Sequence, residues 1–133
     1  MAGNMTIRVD DESSGYSVVM EDIGRVAYAY LLNSDGKIVG DVWLFNRVDA
    51  PLEPEWTDPD KAPFANPADY AKEIGGHHAF ECSDFDIVWG RMPNGAVKAT
   101  INHEGFCHAI LGEGTKPGWS ILASKDGPLA KAM

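Results

Sequence analysis

Only two cysteines, Cys82 and Cys107, occur in the 133 residues. So sparse a pair builds no disulfide scaffold, and the core must come from apolar burial, for which the length suffices. The two are read as free thiols in a reducing compartment, with a Cys82–Cys107 bridge as the alternative that spacing leaves open. No apolar run approaches about 18 residues, which excludes a membrane-spanning helix. The opening residues, Met1 to Asp10, hold no apolar signal core. A cytoplasmic location is therefore the expectation. Positive charge is also scarce: 11 lysines and arginines face 20 aspartates and glutamates, a net charge of −9. Phosphate would be repelled, so neither nucleic acid nor an anionic membrane is an expected partner. There is no Cys-x-x-Cys pair and no Walker lysine, so zinc-finger and nucleotide-loop readings have no support. The glycine-rich Gly112–Gly118 segment has no strand-to-helix context and reads as a turn.

What is present is short apolar alternation punctuated by turn residues. It predicts strands over 6–10, 16–21, 25–33, 37–46, 78–82, 85–91, 96–102, 106–111 and 119–124. Asn33-Ser-Asp-Gly-Lys37 predicts a hairpin with Gly36 left-handed and Asn33 paired with Lys37. Both faces of that hairpin are apolar, which calls for cover on both sides, by the rest of the chain or by a second subunit. A homo-oligomer is expected on this ground. Met92-Pro-Asn-Gly-Ala96 predicts a second hairpin, with Trp89 beside Ala99. In this second meander Val97, Ala99 and Ile101 should share a core face with Phe106, His108 and Ile110. No strand–helix–strand alternation appears, which argues against a parallel sheet. The fold class is all-β: an antiparallel β-sandwich or flattened barrel of eight to nine strands, in a single domain spanning 1–133.

Residues 47–66 form a Pro-rich acidic loop inside that domain. Five of the eight prolines fall within the 17 residues from Pro51 to Pro67. Proline donates no hydrogen bond, so this segment cannot be sheet interior. It reads as a strap over one sheet, pinned by Trp56 and Phe64, or alternatively as a functional lid or arm. One short helix (about 67–74) follows, with Asn66 as cap, Pro67 in the first turn and Gly75 as terminator.

All four histidines and both cysteines lie in the 32 residues from His77 to His108. Such side chains are ligands for zinc or iron. Adjacent strand residues point to opposite faces, however, so His77 and His78 cannot serve one site, nor can Cys107 and His108. The candidate metal set reduces to His78, His103 and His108, and no cofactor is otherwise expected. Gly76, His77, His78, Glu81 and Gly90 resemble in composition the first motif of the cupins, and the Pro93-Asn94-Gly95 turn is also cupin-like. The cupin motif alternates its histidines where this chain sets them side by side. The resemblance implies, as an alternative architecture, a cupin-like barrel.

His108 stands out because its expected neighbours are apolar. Such a histidine is either a hydrogen-bonded core residue or, beside a cavity, an acid or base. Asp41 is the one charge in the 25–46 hairpin and would need a partner once buried. Trp89 and Tyr28 are strand aromatics that either line a pocket or, as aromatic residues at alternate strand positions usually do, fill the core. The candidate ligand-binding or acid–base residues are therefore His108, Asp41, Trp89 and Tyr28. The expected function is a small soluble binding or structural protein that holds a small molecule in a β-lined pocket. The alternative is a metal-dependent or acid–base enzyme with its site near His108.

Overall fold

The alternation organises the chain into two meanders, and these become two sheets. A computed structural model describes residues 5–48, 50–62, 64–72 and 81–133. The first sheet runs in chain order through β1 (Met5–Asp10), β2 (Ser17–Asp22), β3 (Val26–Leu32) and β4 (Ile38–Asn46), all antiparallel. The second runs through β5 (Phe85–Arg91), β6 (Val97–His103), β7 (Phe106–Gly112), β8 (Trp119–Ser120) and β9 (Lys131–Ala132). Neither sheet closes on itself, so the architecture is a sandwich, and the flattened or cupin-like barrel is not formed. The physical reason lies between β4 and β5. A proline-rich connection cannot pair as a strand, so the two meanders meet face to face instead of edge to edge. Val18, Met20, Ala29, Leu31 and Val42 of the first sheet and Ala99, Ile101, Ala109 and Leu111 of the second are buried in one core. No helix among the described residues is long and apolar enough to cross a membrane.

Both hairpin turns form as expected. Asn33 N–H donates to the Lys37 carbonyl at 2.9 Å and Gly36 is left-handed, at φ +81°. Met92 N–H donates to Ala96 at 2.7 Å, and Trp89 pairs with Ala99. The registers then depart from simple alternation at three points. Along β4 the partner of Leu32 is Ile38 and that of Leu31 is Gly40, so Val39 is passed over. Tyr28 pairs with Trp43 and Ala27 with Phe45, passing over Leu44. On β7, Asn102 pairs with Cys107 and Ile101 with Ala109, passing over His108. Each passed-over residue is a bulge, and each bulge exchanges the faces of the strand beyond it. Ala109 and Leu111 therefore reach the core where Ile110 was expected. Ile110 lies opposite Thr100 on the outer face, and Phe106 is 79% exposed at the turn.

The bulges also join the sheets. A bulged residue leaves backbone groups outside the ladder, and these find partners elsewhere. The Val39 carbonyl accepts from Gly114 N–H at 2.7 Å. The outer edge of β4 continues the seam: Asp41 N–H donates to Thr115, Gly118 N–H to Asp41, and Trp43 N–H to Leu129. An edge strand is thus covered by loop backbone. The last strand, expected over 119–124, pairs with β7 at Trp119–Ser120, while Ala123 forms a separate bridge to Ala71, and the chain then returns as β9, which pairs with β8 in parallel.

The strap covers the outer face of the first sheet, and buried polar groups hold it there. The Asn46 carboxamide acts as a substitute peptide group: its Oδ1 accepts from Trp43 Nε1 at 2.9 Å and from Asn66 N–H at 2.8 Å. Its Nδ2 donates to the Asn66 carbonyl at 2.8 Å. Arg25 pairs with the buried Glu55, which also accepts from Ala65 N–H. That guanidinium is the leading cause holding the Glu55 carboxyl below its usual range. Trp56 packs edge-on against Tyr70 at 5.2 Å, and Tyr28 Oη donates to the Phe64 carbonyl. Trp43, Leu44 and Phe45 are consequently buried within one chain. The cover demanded by the doubly apolar hairpin is supplied by the chain's own strap and second sheet.

Asn46→Ala should leave the Trp43 indole N–H and both backbone groups of Asn66 without these partners. Each buried orphan costs about 1–3 kcal/mol, so a loss of about 3 kcal/mol in urea unfolding is expected.

The helix expected over 67–74 is, in the described part, one turn of 3-10 helix at Ala68–Tyr70, and Ala71 is extended. Asn66 does not cap it; Pro67 precedes the turn, without a side-chain cap. Tertiary hydrogen bonds outcompete the helical ones: Ala68 N–H donates to Pro51, Lys72 N–H to Leu122, and Ser124 N–H to Tyr70. A short segment has too costly a nucleus to resist this. The strand expected over 78–82 lies mostly outside the described residues; Cys82 begins a 3-10 turn, Cys82–Asp84.

Candidate functional site

His108 owes its position to the β7 bulge. Strict alternation would bury only one of two neighbours, but the passed-over His108 and the following Ala109 are both buried. Its ring nitrogen Nε2 lies 2.8 Å from the Leu44 carbonyl. A carbonyl only accepts, so Nε2 carries the proton. Leu44 is itself the bulged residue of β4, so the two bulges meet across the sandwich. The ring packs against Phe85, centroid to centroid 4.9 Å, and Phe85 also contacts His103 at 5.4 Å. Burial is the main cause that pushes the His108 pKa down to about 4, against the favourable Leu44 bond. The imidazole is therefore neutral at neutral pH.

The other residues singled out from the sequence do not gather round it. Asp41 lies opposite Tyr30, and Tyr28 opposite Trp43, on the strap side of the first sheet. Val42, beside Asp41, faces the inner core, as His108 does. Parity thus separates Asp41 from His108, and no hydrogen bond or ion pair joins them. Burial pushes the Asp41 carboxyl up, with the Lys116 ammonium opposing. Tyr28 is pushed up as well, by burial first.

Of the metal candidates, His78 lies outside the described residues. Among the described residues no three His, Cys, Asp or Glu side chains stand close enough to share a metal ion. Cys82 and Cys107 are both free thiols. Cys82 is buried beside the Asp22–Arg47 ion pair, and burial pushes its thiol up to about 12.

Trp89 occupies a different setting. It lies on β5 at the mouth of the sandwich, in a cleft of about 300 Å³ lined also by Asp11, Ser13, Ser14, Gly90, Arg91 and Val97. The far wall is the turn between β1 and β2, which Asp11 builds. Its N–H donates to Tyr16 at 2.8 Å, its carbonyl accepts from Gly15, and its Oδ2 accepts from Ser14 Oγ at 2.7 Å. Gly15 takes φ +77°, as the turn requires. Tyr16 Oη then donates to Glu113 at 2.9 Å and ties this turn to the second sheet. That bond is the first cause raising the Tyr16 pKa. The wall is thus fixed from both sheets before any ligand arrives. The cleft is thus lined by one tryptophan, one aspartate, two serines and one arginine.

Of the residues lining this cleft, the sequence singles out Trp89 and none of the others. Asp11 to Gly15 reads as a polar break, and Arg91 as the end of a strand. Nothing local signals that two such segments, 80 positions apart, share a cleft. No family model, no curated protein and no solved structure matches this chain.

Proposed function

We propose that this domain is a small-molecule binding protein whose site is the cleft beside Trp89, and that its ligand is a hydroxylated compound of the saccharide or polyol class. The observation that supports this most is the shared lining of Trp89, Asp11, Ser14 and Arg91. A pyranose presents an apolar C–H face, which suits an indole, and a rim of hydroxyls. Those hydroxyls can donate to Asp11 and accept from Arg91. The volume, about 300 Å³, is at the small end of ligand sites and suits a single sugar ring. His108, 3% exposed and bonded to Leu44, has the environment of a core residue, so the cleft carries the reading.

Titration with a panel of monosaccharides and polyols, followed by tryptophan fluorescence, should give a saturable change for at least one of them. Trp89→Ala should weaken that binding about tenfold or more through the lost stacking and area. Arg91→Ala, at an exposed position, tests the polar half without disturbing the core. A flat response to the whole panel, or binding that survives both substitutions unchanged, would refute the assignment.

A further inference from the structure

A second concavity lies away from the cleft, on the outer face of the second sheet. The β7 bulge turns Ile110 outward, and there it pairs with Thr100 on one side and Trp119 on the other. Gly112, two residues on, leaves space that the Met92 side chain fills: a Cβ at Gly112 would lie 3.1 Å from the Met92 sulfur. The result is a groove of about 410 Å³ lined by Met92, Pro93, Lys98, Ile110, Trp119 and Met133. Among the described residues the side chains lining it are apolar apart from Lys98, and no carboxylate side chain lines it, although the chain carries 20 acidic residues.

The groove carries positive charge at its rim. Lys98 makes no ion pair among the described residues. Lys131 is likewise without one and stands over the Trp119 ring, 4.7 Å from its centroid. Two ammonium groups, neither in an ion pair among the described residues, therefore flank an apolar floor on a protein of net charge −9. A lysine at such a rim lays its methylene stem along the apolar surface and keeps its charge at the edge. The geometry points to a binding site for a free, monomeric amphipathic carboxylate, a short acyl chain or aromatic ring bearing one anionic head. The apolar body rests on Ile110, Trp119 and Met92, and the carboxylate meets Lys98, with Lys131 adding to the field. The site goes beyond the cleft reading and stands without it, because no lining residue is shared.

Octanoate and 1-octanol serve as matched probes, alike in chain length and differing in the head. Chemical-shift titration of the intact protein should move the amides of Lys98, Ile110 and Trp119 with octanoate, and more weakly with 1-octanol. Lys98→Met keeps the stem and removes the charge. It should weaken octanoate about fivefold and leave 1-octanol unchanged, and the Lys98→Met/Lys131→Met pair should weaken octanoate roughly tenfold. High ionic strength should weaken octanoate alone. Equal binding of the two probes, or octanoate binding indifferent to both lysines, would overturn the anionic class. Absence of shifts at these three amides with either probe would overturn the site itself. So would binding to phosphatidylglycerol vesicles without binding of octanoate.

Discussion

Replacing Gly118 with alanine should come close to unfolding the domain. A Cβ at this position would lie 2.3 Å from the Ile110 carbonyl oxygen and 3.5 Å from Leu111 Cδ2. The first of these neighbours is backbone, which no rotamer change removes. Nor can Gly118 retreat. Its N–H donates to the Asp41 carbonyl at 2.7 Å and its carbonyl accepts from Lys131 N–H at 2.8 Å. The first of these bonds closes the edge of β4, and the second holds β9 in place. Moving Gly118 therefore opens the seam between the sheets. A clash of this kind belongs with the severe class of substitutions, about 4 kcal/mol or more, against a total stability of about 5–15 kcal/mol for ordinary domains. The thermal midpoint should drop by roughly 15 °C, or the protein should fail to accumulate in folded form. Gly114→Ala supplies the comparison. Gly114 lies four residues away and takes φ +89°, but a Cβ there meets nothing within 4 Å. It should cost only about 1 kcal/mol, for left-handed backbone alone. Equal behaviour of the two variants would contradict the close approach at Gly118.

The second large effect is a loss of stability on acidification that traces to one side chain. His108 is held at about 4 in the folded protein, against an ordinary value of 6.5. The unfolded chain therefore binds a proton below about pH 6.5 that the folded protein refuses until about pH 4. Between those limits the unfolded state holds more protons, so stability rises with pH and falls as pH is lowered. The contribution is fully present above pH 6.5 and is lost progressively down to about pH 4. One proton over that span corresponds to about 3 kcal/mol, an order-of-magnitude figure for a group this buried. His108→Gln keeps an N–H able to donate toward the Leu44 carbonyl but cannot titrate. It should be less stable than the parent at neutral pH, and its stability should be nearly flat across the window in which the parent declines. Urea unfolding at neutral pH and at about pH 5 is sufficient, because most carboxylates titrate below that range. Parallel declines in the two proteins would show that His108 is not the group responsible.

How much of this was legible in the sequence depends on the range of the signal. Alternation and turn chemistry are local, and they give the strands, the Asn33–Lys37 and Met92–Ala96 turns and the Trp89–Ala99 pairing. Bulges are not local. Nothing in Val39, Leu44 or His108 distinguishes a passed-over residue from a paired one, because the bulge is set by what the opposite strand and the facing sheet require. His108 reached the core as expected, yet for a different reason: it is the extra residue of β7, and Ile110 beyond it points outward. Within the described part of 67–74 only a 3-10 turn forms, on the same ground: the expected cap residues Asn66 and Pro67 are present, but tertiary partners take the backbone groups of Ala68, Tyr70 and Lys72. The prolines and two aromatics of the strap are legible in the sequence. Its polar anchors, Asn46, Asn66 and Glu55, are not, because a buried amide bond to a segment 20 residues away leaves no mark in spacing. Histidine and cysteine cluster in the sequence between His77 and His108. The cleft is made instead of aspartate, serine, arginine and tryptophan, drawn from two distant turns and strands.

The central claim is that a ligand enters beside Trp89. The four tryptophans, Trp43, Trp56, Trp89 and Trp119, each provide one indole N–H resonance, and they sit in different parts of the fold. In a titration of uniformly ¹⁵N-labelled protein with the saccharide that binds best, the Trp89 indole and the amides of Asp11, Ser13, Ser14 and Arg91 should move together along one saturable curve. The indole of Trp43, sealed under the strap, should stay in place. An unmoved Trp89 resonance at saturating saccharide would contradict the account.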